Sequence, residues 1–312
     1  MVPVIAEVFG DYRSQKMSYP GPTCSNLDEV CSVLGWPVAE FCYFANNVDK
    51  HVRLKVVRKK SGGPRITYAP RSRLKEIQRS IKTKFLDQYK YPEYIHGLSG
   101  DSLRDHASYH KGDKILLKLD LTDFFPNIEH RRVYKMWREE FGLPHDVSRL
   151  MTKIITYKGR LQQGFPTSSH AAAIIALPLT TQINEYCEAN SIVFSQYVDD
   201  LNFSGTSINF KEIFKIIVSS AERTGFSIKR KKTKVTNPFN GKKITGVSVY
   251  GHRIRAAREI RKKAAYALQK YALDPDDKTK KQVLGGYLAY IKHINKKDGQ
   301  RLRKKINKIK KR

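Results

Sequence analysis

The 312-residue sequence is short of acidic residues, cysteines and long apolar runs. It has 29 Asp+Glu against 59 Lys+Arg, a formal net charge of +30 at pH 7. So large an excess of one sign favours a polyanionic partner, because each phosphate that Lys or Arg neutralises releases counterions. Hydrophobic residues still make up 40% of the chain. That is enough apolar material for a folded core, so disorder of the whole chain is excluded.

The missing features exclude further classes of protein. The longest near-apolar stretch, 171–179, is about half of the roughly 18 residues that a membrane helix needs. The N-terminus lacks a basic region followed by a long apolar one, so we expect no signal peptide. The cysteines Cys24, Cys31, Cys42 and Cys187 suit neither a disulfide framework nor a CxxC zinc motif. We therefore expect a cytoplasmic protein with no membrane partner.

The positive charge is concentrated at the C-terminal end. Residues 229–312 hold 28 Lys+Arg and 5 Asp+Glu, a net +23. Apolar residues recur at three- and four-residue steps from about Arg258, which predicts a helix there, followed by helices over 282–293 and 299–311. These segments could be a helical bundle with a solvated basic face or a helical arm along a nucleic-acid backbone. The size of the charge excess favours the arm.

The rest of the chain alternates between strand-like and helical patterns. Strands are predicted at 52–57, 65–68, 114–121, 192–197, 201–204 and 243–250. Helices are predicted at 27–46, 72–86, 130–141, 168–189 and 210–224. This order favours an α+β fold, a sheet with helices on one face.

Three aspartates stand in unusual settings for a chain with so few acids. Asp120 ends the apolar run 115–120, and Asp199 and Asp200 lie side by side between two strand-like runs. Two Mg²⁺ ions held by carboxylates from separate strands can clamp the attacking and leaving oxygens of a phosphoryl transfer. Taken singly, the Asp-Asp pair could be an ordinary turn and Asp120 a helix cap or ion-pair partner. Their combination with a Gln163-Gly164 loop between them favours the metal interpretation.

These segments resemble the motifs of reverse transcriptases. Tyr197-Val198-Asp199-Asp200 resembles the YxDD box, residues 119–125 resemble the first catalytic motif, and residues 161–169 are similar to the LPQGxPTSP loop. The loop departs from that pattern at Gln162 and Ser169, where proline is usual. The resemblance runs from about Arg65 through Gly246.

The resemblance implies a metal-dependent DNA polymerase site that uses deoxynucleotides. Asp120 and Asp199 would bridge two Mg²⁺ ions, with Asp200 alongside and the Leu121 carbonyl as a further ligand. The other implied contacts to the nucleotide are the backbone N–H groups of Asp123 and Phe124, the ring of Phe125 as a steric gate against a ribose 2′-OH, Gln163, the phosphate-gripping Lys60 and Arg65, and Lys232 as a proton donor to pyrophosphate. Phe125 could instead be plain core, and Lys232 one more basic surface residue.

Two further segments are similar to retron reverse transcriptases in particular. Residues 106–110 resemble the NAxxH signature, with His106 in place of Asn, and Ile244-Thr245-Gly246 resembles the VTG signature. The residues alone leave other interpretations for His106 and His110: a metal pair at i and i+4 without an evident third ligand, a polar contact to RNA, or satisfied structural histidines. RNA binding is predicted for His106, His110, Ile244, Thr245 and Gly246 and for the C-terminal cations Arg301, Arg303, Lys304 and Lys305.

The resemblance also implies an architecture and a biology. The fold would be a right-hand polymerase, with fingers over 1–110, a ferredoxin-like palm over 111–250 and a helical thumb over 251–312. Retron enzymes copy part of a cognate noncoding RNA into single-stranded DNA from an RNA 2′-OH. The branched RNA–DNA product stays bound and serves in anti-phage defence, often with a separate effector protein.

A catalytic ribonuclease H needs its own set of carboxylates, but the acids after Asp200 are scattered through basic sequence. A cellular ribonuclease H would therefore have to remove the template RNA. Two alternatives stay open. One is another compact bacterial reverse transcriptase of the group II intron, diversity-generating or CRISPR-associated kind. The other is a non-catalytic RNA-binding protein on the same fold.

Overall fold

The computed structural model describes residues 19–58, 62–112, 114–237 and 241–310. Its helices are α1 (Leu27–Leu34), α2 (Val38–Asn46), α3 (Ser72–Lys84), α4 (Leu103–Tyr109), α5 (His130–Glu139), α6 (His145–Ile155), α7 (Ser168–Ala189), α8 (Phe210–Arg223), α9 (Arg258–Leu273), α10 (Lys278–Ile294) and α11 (Lys296–Lys310). Its strands are β1 (Val52–Arg58), β2 (Pro64–Pro70), β3 (Ile95–His96), β4 (Ile115–Asp120), β5 (Val193–Tyr197), β6 (Asp200–Gly205), β7 (Lys234–Thr236), β8 (Lys242–Ile244), β9 (Val247–Tyr250) and β10 (Arg253–Ala256). The predicted α+β class is confirmed. None of the helices within these ranges has the length and hydropathy needed to cross a bilayer.

A five-stranded sheet lies at the centre, in the order β3-β5-β6-β4-β7. Strands β4, β6 and β5 are antiparallel neighbours, whereas the two-residue β3 runs parallel to β5. The apolar residues of these strands are buried, and Phe194 packs on Phe203 in the core with ring centroids 5.1 Å apart. Helix α7 packs against β5, α5 and α8 and is itself largely buried. The β4–β6 pairing therefore rests on a rigid support.

A second, three-stranded sheet, β10-β9-β8, connects the central sheet to the C-terminal helices. Its apolar side chains form a small core with Ala107 of α4, Leu116 of β4 and Ile294 of α10. Helices α9, α10 and α11 then pack on one another around Ala267, Tyr271, Leu284 and Ile306. The predicted C-terminal helices are confirmed, with α10 beginning four residues earlier than expected, where Asp277 caps it.

Two predicted elements are each divided by a backbone bend. The helix expected over 27–46 is two helices, since Gly35 adopts a left-handed φ of 72° and Pro37 follows it. The strand expected over 243–250 is a hairpin, because Thr245 and Gly246 adopt φ of 44° and 85° and turn the chain back. Helix α6 was not predicted. It begins directly after Pro144 and buries six of its residues, among them Met151, Ile154 and Ile155.

Candidate active site

The Asp-Asp pair lies at the tip of a tight hairpin between β5 and β6. Tyr197 is paired with Asp200, so Val198 and Asp199 form the two-residue turn. Val198 has a φ of 56°, in the left-handed region that β-branched residues rarely adopt. The Gln196 amide nitrogen donates to the Val198 carbonyl oxygen over 2.7 Å. The turn that bears Asp199 is therefore strained and depends on its surroundings.

Strand register brings Asp120 to this turn. Asp120 and Asp200 are directly opposed across β4 and β6. The Leu121 N–H donates to the Asp199 carbonyl over 2.9 Å. The three aspartates predicted to converge thus share one end of the sheet, although Asp199 is 79 positions from Asp120 along the chain.

The carboxylates of Asp199 and Asp200 both resist ionisation. Burial is the main cause that raises the pKa of Asp199, and the charges of Asp200 and Asp120 add to it. Burial also raises the pKa of Asp200, against the opposing effect of the Lys118 ammonium. Acids crowded in this way gain from a cation held between them.

One cation of the chain already lies there. The Lys232 ammonium, on a short 3-10 helix over Arg230–Lys232, donates to both oxygens of Asp120 over 2.8 and 2.9 Å. The Lys229 N–H anchors this segment by donating to the Asp120 carbonyl. Lys232, predicted from the sequence to act at the site, therefore contacts the carboxylate of the first motif.

The donor atoms suit a hard divalent cation. Aspartate oxygens are the ligands that Mg²⁺ takes. The bridge between Leu121 and Ile228 uses the N–H of Thr122 and the carbonyl of Asp120. It therefore leaves the Leu121 carbonyl for a metal ion. As the described side chains stand, no group of three or more His, Cys, Asp or Glu residues is arranged to hold a metal ion. Lys232 would have to leave Asp120 for the three carboxylates to act together.

Two of the residues expected to bind the nucleotide contact each other. Arg65 of β2 donates to the Gln163 side-chain oxygen over 3.4 Å, which joins two motifs 98 positions apart. Gly164 permits this approach: it has a φ of 132°, and a Cβ there would lie 2.7 Å from the Tyr68 carbonyl oxygen. Lys60 lies outside the described residues.

The first motif turns sharply after Asp120. Asp123 has a φ of 41°, and its carbonyl accepts from the Asn127 N–H. The Phe124 ring is buried against Phe226, while Phe125 is 9% exposed and contacts the Phe124 ring. Because the Phe124 side chain is buried, only the main chain of this residue could contact a ligand.

The segments predicted to bind RNA occupy different environments. His106, His110 and Ile244 are fully buried, whereas Thr245 and Gly246 are partly exposed on the β8–β9 turn. The four cations of α11 that were predicted to bind RNA are exposed, namely Arg301, Arg303, Lys304 and Lys305. Of the residues predicted to bind RNA, only the β8–β9 turn and the four cations of α11 are therefore accessible from solvent.

Sequence reasoning missed the polar residues that surround the β5–β6 hairpin. Ser195 accepts or donates hydrogen bonds with both predicted histidines, and His96 is paired with Tyr197 across β3 and β5. A buried serine in a strand carries no sequence signal of its own. His96 could have been noticed only as a histidine next to a glycine.

Comparison with known proteins agrees with this geometry. Residues 57–285 match the family model described as reverse transcriptase (RNA-dependent DNA polymerase). The chain belongs to the reverse transcriptase family, and within it to the retron type.

The retron assignment rests on curated relatives. The chain is 26% identical to the Retron Ec86 reverse transcriptase of Escherichia coli, over 98% of this chain and 95% of the relative. It is also 26% identical to the Retron Mx65 reverse transcriptase of Myxococcus xanthus, over 93% of this chain and 73% of the relative.

Among solved structures, telomerase from Candida albicans matches with a TM-score of 0.50 at 13% identity, over 83% of this chain. This chain spans 56% of the telomerase chain. The likeness supports the polymerase fold alone. The family model and the curated relatives identify the protein as an RNA-directed DNA polymerase. Enzymes of this family use a divalent metal, an RNA template and deoxynucleotides.

Proposed function

We propose that Asp120, Asp199 and Asp200 form the catalytic centre of this reverse transcriptase and hold two Mg²⁺ ions, with the Leu121 carbonyl as a further ligand. The observation that carries the proposal is the β4–β6 register, which opposes Asp120 and Asp200 at the strained turn bearing Asp199. The two ions would stabilise the attacking and leaving oxygens of nucleotidyl transfer.

The neighbouring residues take the other roles at this centre. Lys232, which contacts Asp120, would move to the pyrophosphate and give it a proton. Asp123 and Phe124 would offer backbone N–H groups to the triphosphate, and Phe125 would exclude a ribose 2′-OH. Arg65 and Gln163, already in contact with each other, would bind the incoming nucleotide together with Lys60.

The RNA partner is proposed to be a cognate noncoding RNA that serves as both template and primer. Thr245 and Gly246 at the β8–β9 turn and the cations of α11 are its proposed contacts, since these are exposed. The proposed regions are fingers over 1–110, palm over 111–250 and thumb over 251–312. The small apolar core that α10 shares with β4 and β9 would couple thumb and palm.

We further infer that synthesis starts from an RNA 2′-OH and gives branched multicopy single-stranded DNA used in anti-phage defence. The similarity to retron reverse transcriptases over most of their length supports this inference. A cellular ribonuclease H would remove the copied template, and a separate effector protein would complete the defence system.

The test is DNA synthesis by the purified protein with its RNA, dNTPs and Mg²⁺, followed by sequencing of the nucleic acid that copurifies. Changing Asp199 and Asp200 together to Asn should abolish synthesis, because the amides cannot replace the ionised ligands, while RNA binding persists. A branched RNA–DNA species should copurify with the unaltered protein. Undiminished synthesis by the double variant would refute the catalytic assignment.

A further inference from the structure

His106 of α4 and His110, which directly follows α4, lie in a polar cluster behind the catalytic hairpin. His106 and His110 are each 0% exposed. Both contact the Ser195 hydroxyl through Nε2, over 2.8 and 2.7 Å. Ser195 lies on β5, two residues before Tyr197. Because both rings are enclosed, they face the strand that carries the catalytic turn and not a surface that RNA could reach.

His106 also contacts the tyrosine of the hairpin directly. Its ring stacks on Tyr197, with centroids 5.1 Å apart and planes 18° from parallel. The His96 ring lies against His106, 4.6 Å away. His96 is itself held by the Asp101 carboxylate over 3.1 Å. Gly97 leaves room for the tyrosine, since a Cβ there would approach the Tyr197 ring to 3.0 Å.

The catalytic turn needs such support. Val198 directly follows Tyr197 and adopts the left-handed conformation. A non-glycine residue in that region costs about 1–3 kcal/mol and persists only where its surroundings fix it. Tyr197 is the last residue of β5 and the partner of Asp200. The position of Tyr197 therefore determines where the turn and its carboxylates lie.

The hydrogen bonds of the cluster are consistent with two neutral rings. His106 Nδ1 contacts the Thr245 hydroxyl over 3.2 Å, and His110 Nδ1 contacts the Ser204 hydroxyl over 2.8 Å. Ser195 has one proton, so when it donates to one ring it accepts from the other, and the rings take opposite tautomers. Burial lowers the pKa of His106 to about 2 and that of His110 to about 3, with smaller effects from neighbouring cations and rings.

We propose that His106 is a positioning residue for the catalytic turn, stacking on Tyr197 and bonding Ser195 and Thr245 so that the strand leading to Asp199 is fixed. His110 supports the same strand through Ser195 and Ser204. The proposal rests on the proposed role of Asp199. It also connects the β8–β9 turn to the active site, since Thr245 contacts His106.

The position offers its own conservative variant. The signature that residues 106–110 resemble has Asn where this chain has His106. An Asn amide carries its polar atoms at the distance of His Nδ1, so it keeps a partner for Thr245, but it is too short for Ser195 and has no ring to place on Tyr197. His106→Asn therefore keeps the link to Thr245 and loses the stacking on Tyr197, whereas His106→Ala removes both.

The experiment measures single-turnover nucleotide addition on a saturating RNA template-primer, with the burst amplitude giving the active fraction. His106→Ala should lower the addition rate constant about tenfold or more at saturating dNTP. The KM for dNTP and the Kd for RNA should stay within about twofold of the unaltered protein. His106→Asn should recover a large part of the rate. Ser108→Ala is the matched control, because its hydroxyl donates to the Arg104 carbonyl within the same helix.

Two outcomes would overturn the proposal. One is an unchanged rate constant in His106→Ala. The other is a raised Kd for RNA with the rate at saturating RNA unchanged, which would make His106 an RNA contact. Should His106→Ala not fold, Ser195→Ala is judged by the same two criteria. If the unaltered protein makes no DNA, the proposed catalytic function fails instead.

Discussion

The central sheet and the C-terminal helices use polar residues in opposite ways. In the sheet, Ser195 and Ser204 are fully buried; Ser195 contacts His106 and His110, and Ser204 contacts His110. In α11, Arg301 is 76% exposed on its side chain and pairs only loosely with Asp298 at 3.6 Å. A residue of the sheet acts through its particular partners, whereas a cation of α11 acts mainly through its charge. Substitutions should therefore be costly in the sheet and tolerated in the helices.

The largest change in unfolding free energy is expected from a substitution in the core of the sheet. Phe203→Ala removes a fully buried ring that packs on Phe194, which should lower the free energy of unfolding by about 3–5 kcal/mol. Leu273→Ala, at the end of α9 and 81% exposed, should change it by less than about 0.5 kcal/mol. Urea unfolding of both variants measures the difference. Equal losses of unfolding free energy in the two variants would contradict the contrast between the sheet and the C-terminal helices.

A smaller effect on the unfolding free energy is expected when the pH is lowered. The pKa of His106 is lowered by burial first, and then by His96 on β3, by His110 directly after α4 and by Lys118 on β4. Its folded pKa lies below the unfolded value of 6.5, so the unfolded chain binds the proton first. The stability from a neutral His106 is complete above pH 6.5 and is lost as the pH falls towards the folded pKa.

His106→Asn has no group to titrate at this position and provides the comparison. Between pH 6.5 and pH 5, the unaltered protein should lose roughly 2 kcal/mol more unfolding free energy than this variant. Urea unfolding at a series of pH values measures the two slopes, and other titrating groups cancel in their difference. Parallel curves would show that His106 is not held neutral.

The smallest effect on folding is expected in α11. Replacing Arg301, Arg303, Lys304 and Lys305 by Gln should change the unfolding free energy by less than about 0.5 kcal/mol per substitution. RNA binding should nevertheless weaken, and the slope of log K against log salt should flatten by about 0.7–0.9 for each phosphate that is no longer neutralised. A charge-preserving variant with Arg and Lys exchanged at the four positions should keep the slope. An unchanged slope in the Gln variant would make these residues a solvated face.

Much of the candidate site could be predicted from the sequence. The apolar run before Asp120 and the strand-like runs around Asp199 and Asp200 predict three carboxylates at strand ends, and the observed register places them together. The exchange of Asn for His at position 106 was visible too, but its burial against Ser195 was not. Periodicity indicates which face of an element is buried and says nothing about the residue that covers it.

The sequence by itself determined the excess of positive charge at the C-terminal end, the period of each long helix and the motifs of a reverse transcriptase. The tertiary structure alone decided that Lys232 binds Asp120 across 112 positions and that His106 meets Ser195 across 89. Local pattern is set by backbone geometry over a few residues. Contacts between distant segments depend instead on strand register and on how side chains fill the space between packed elements.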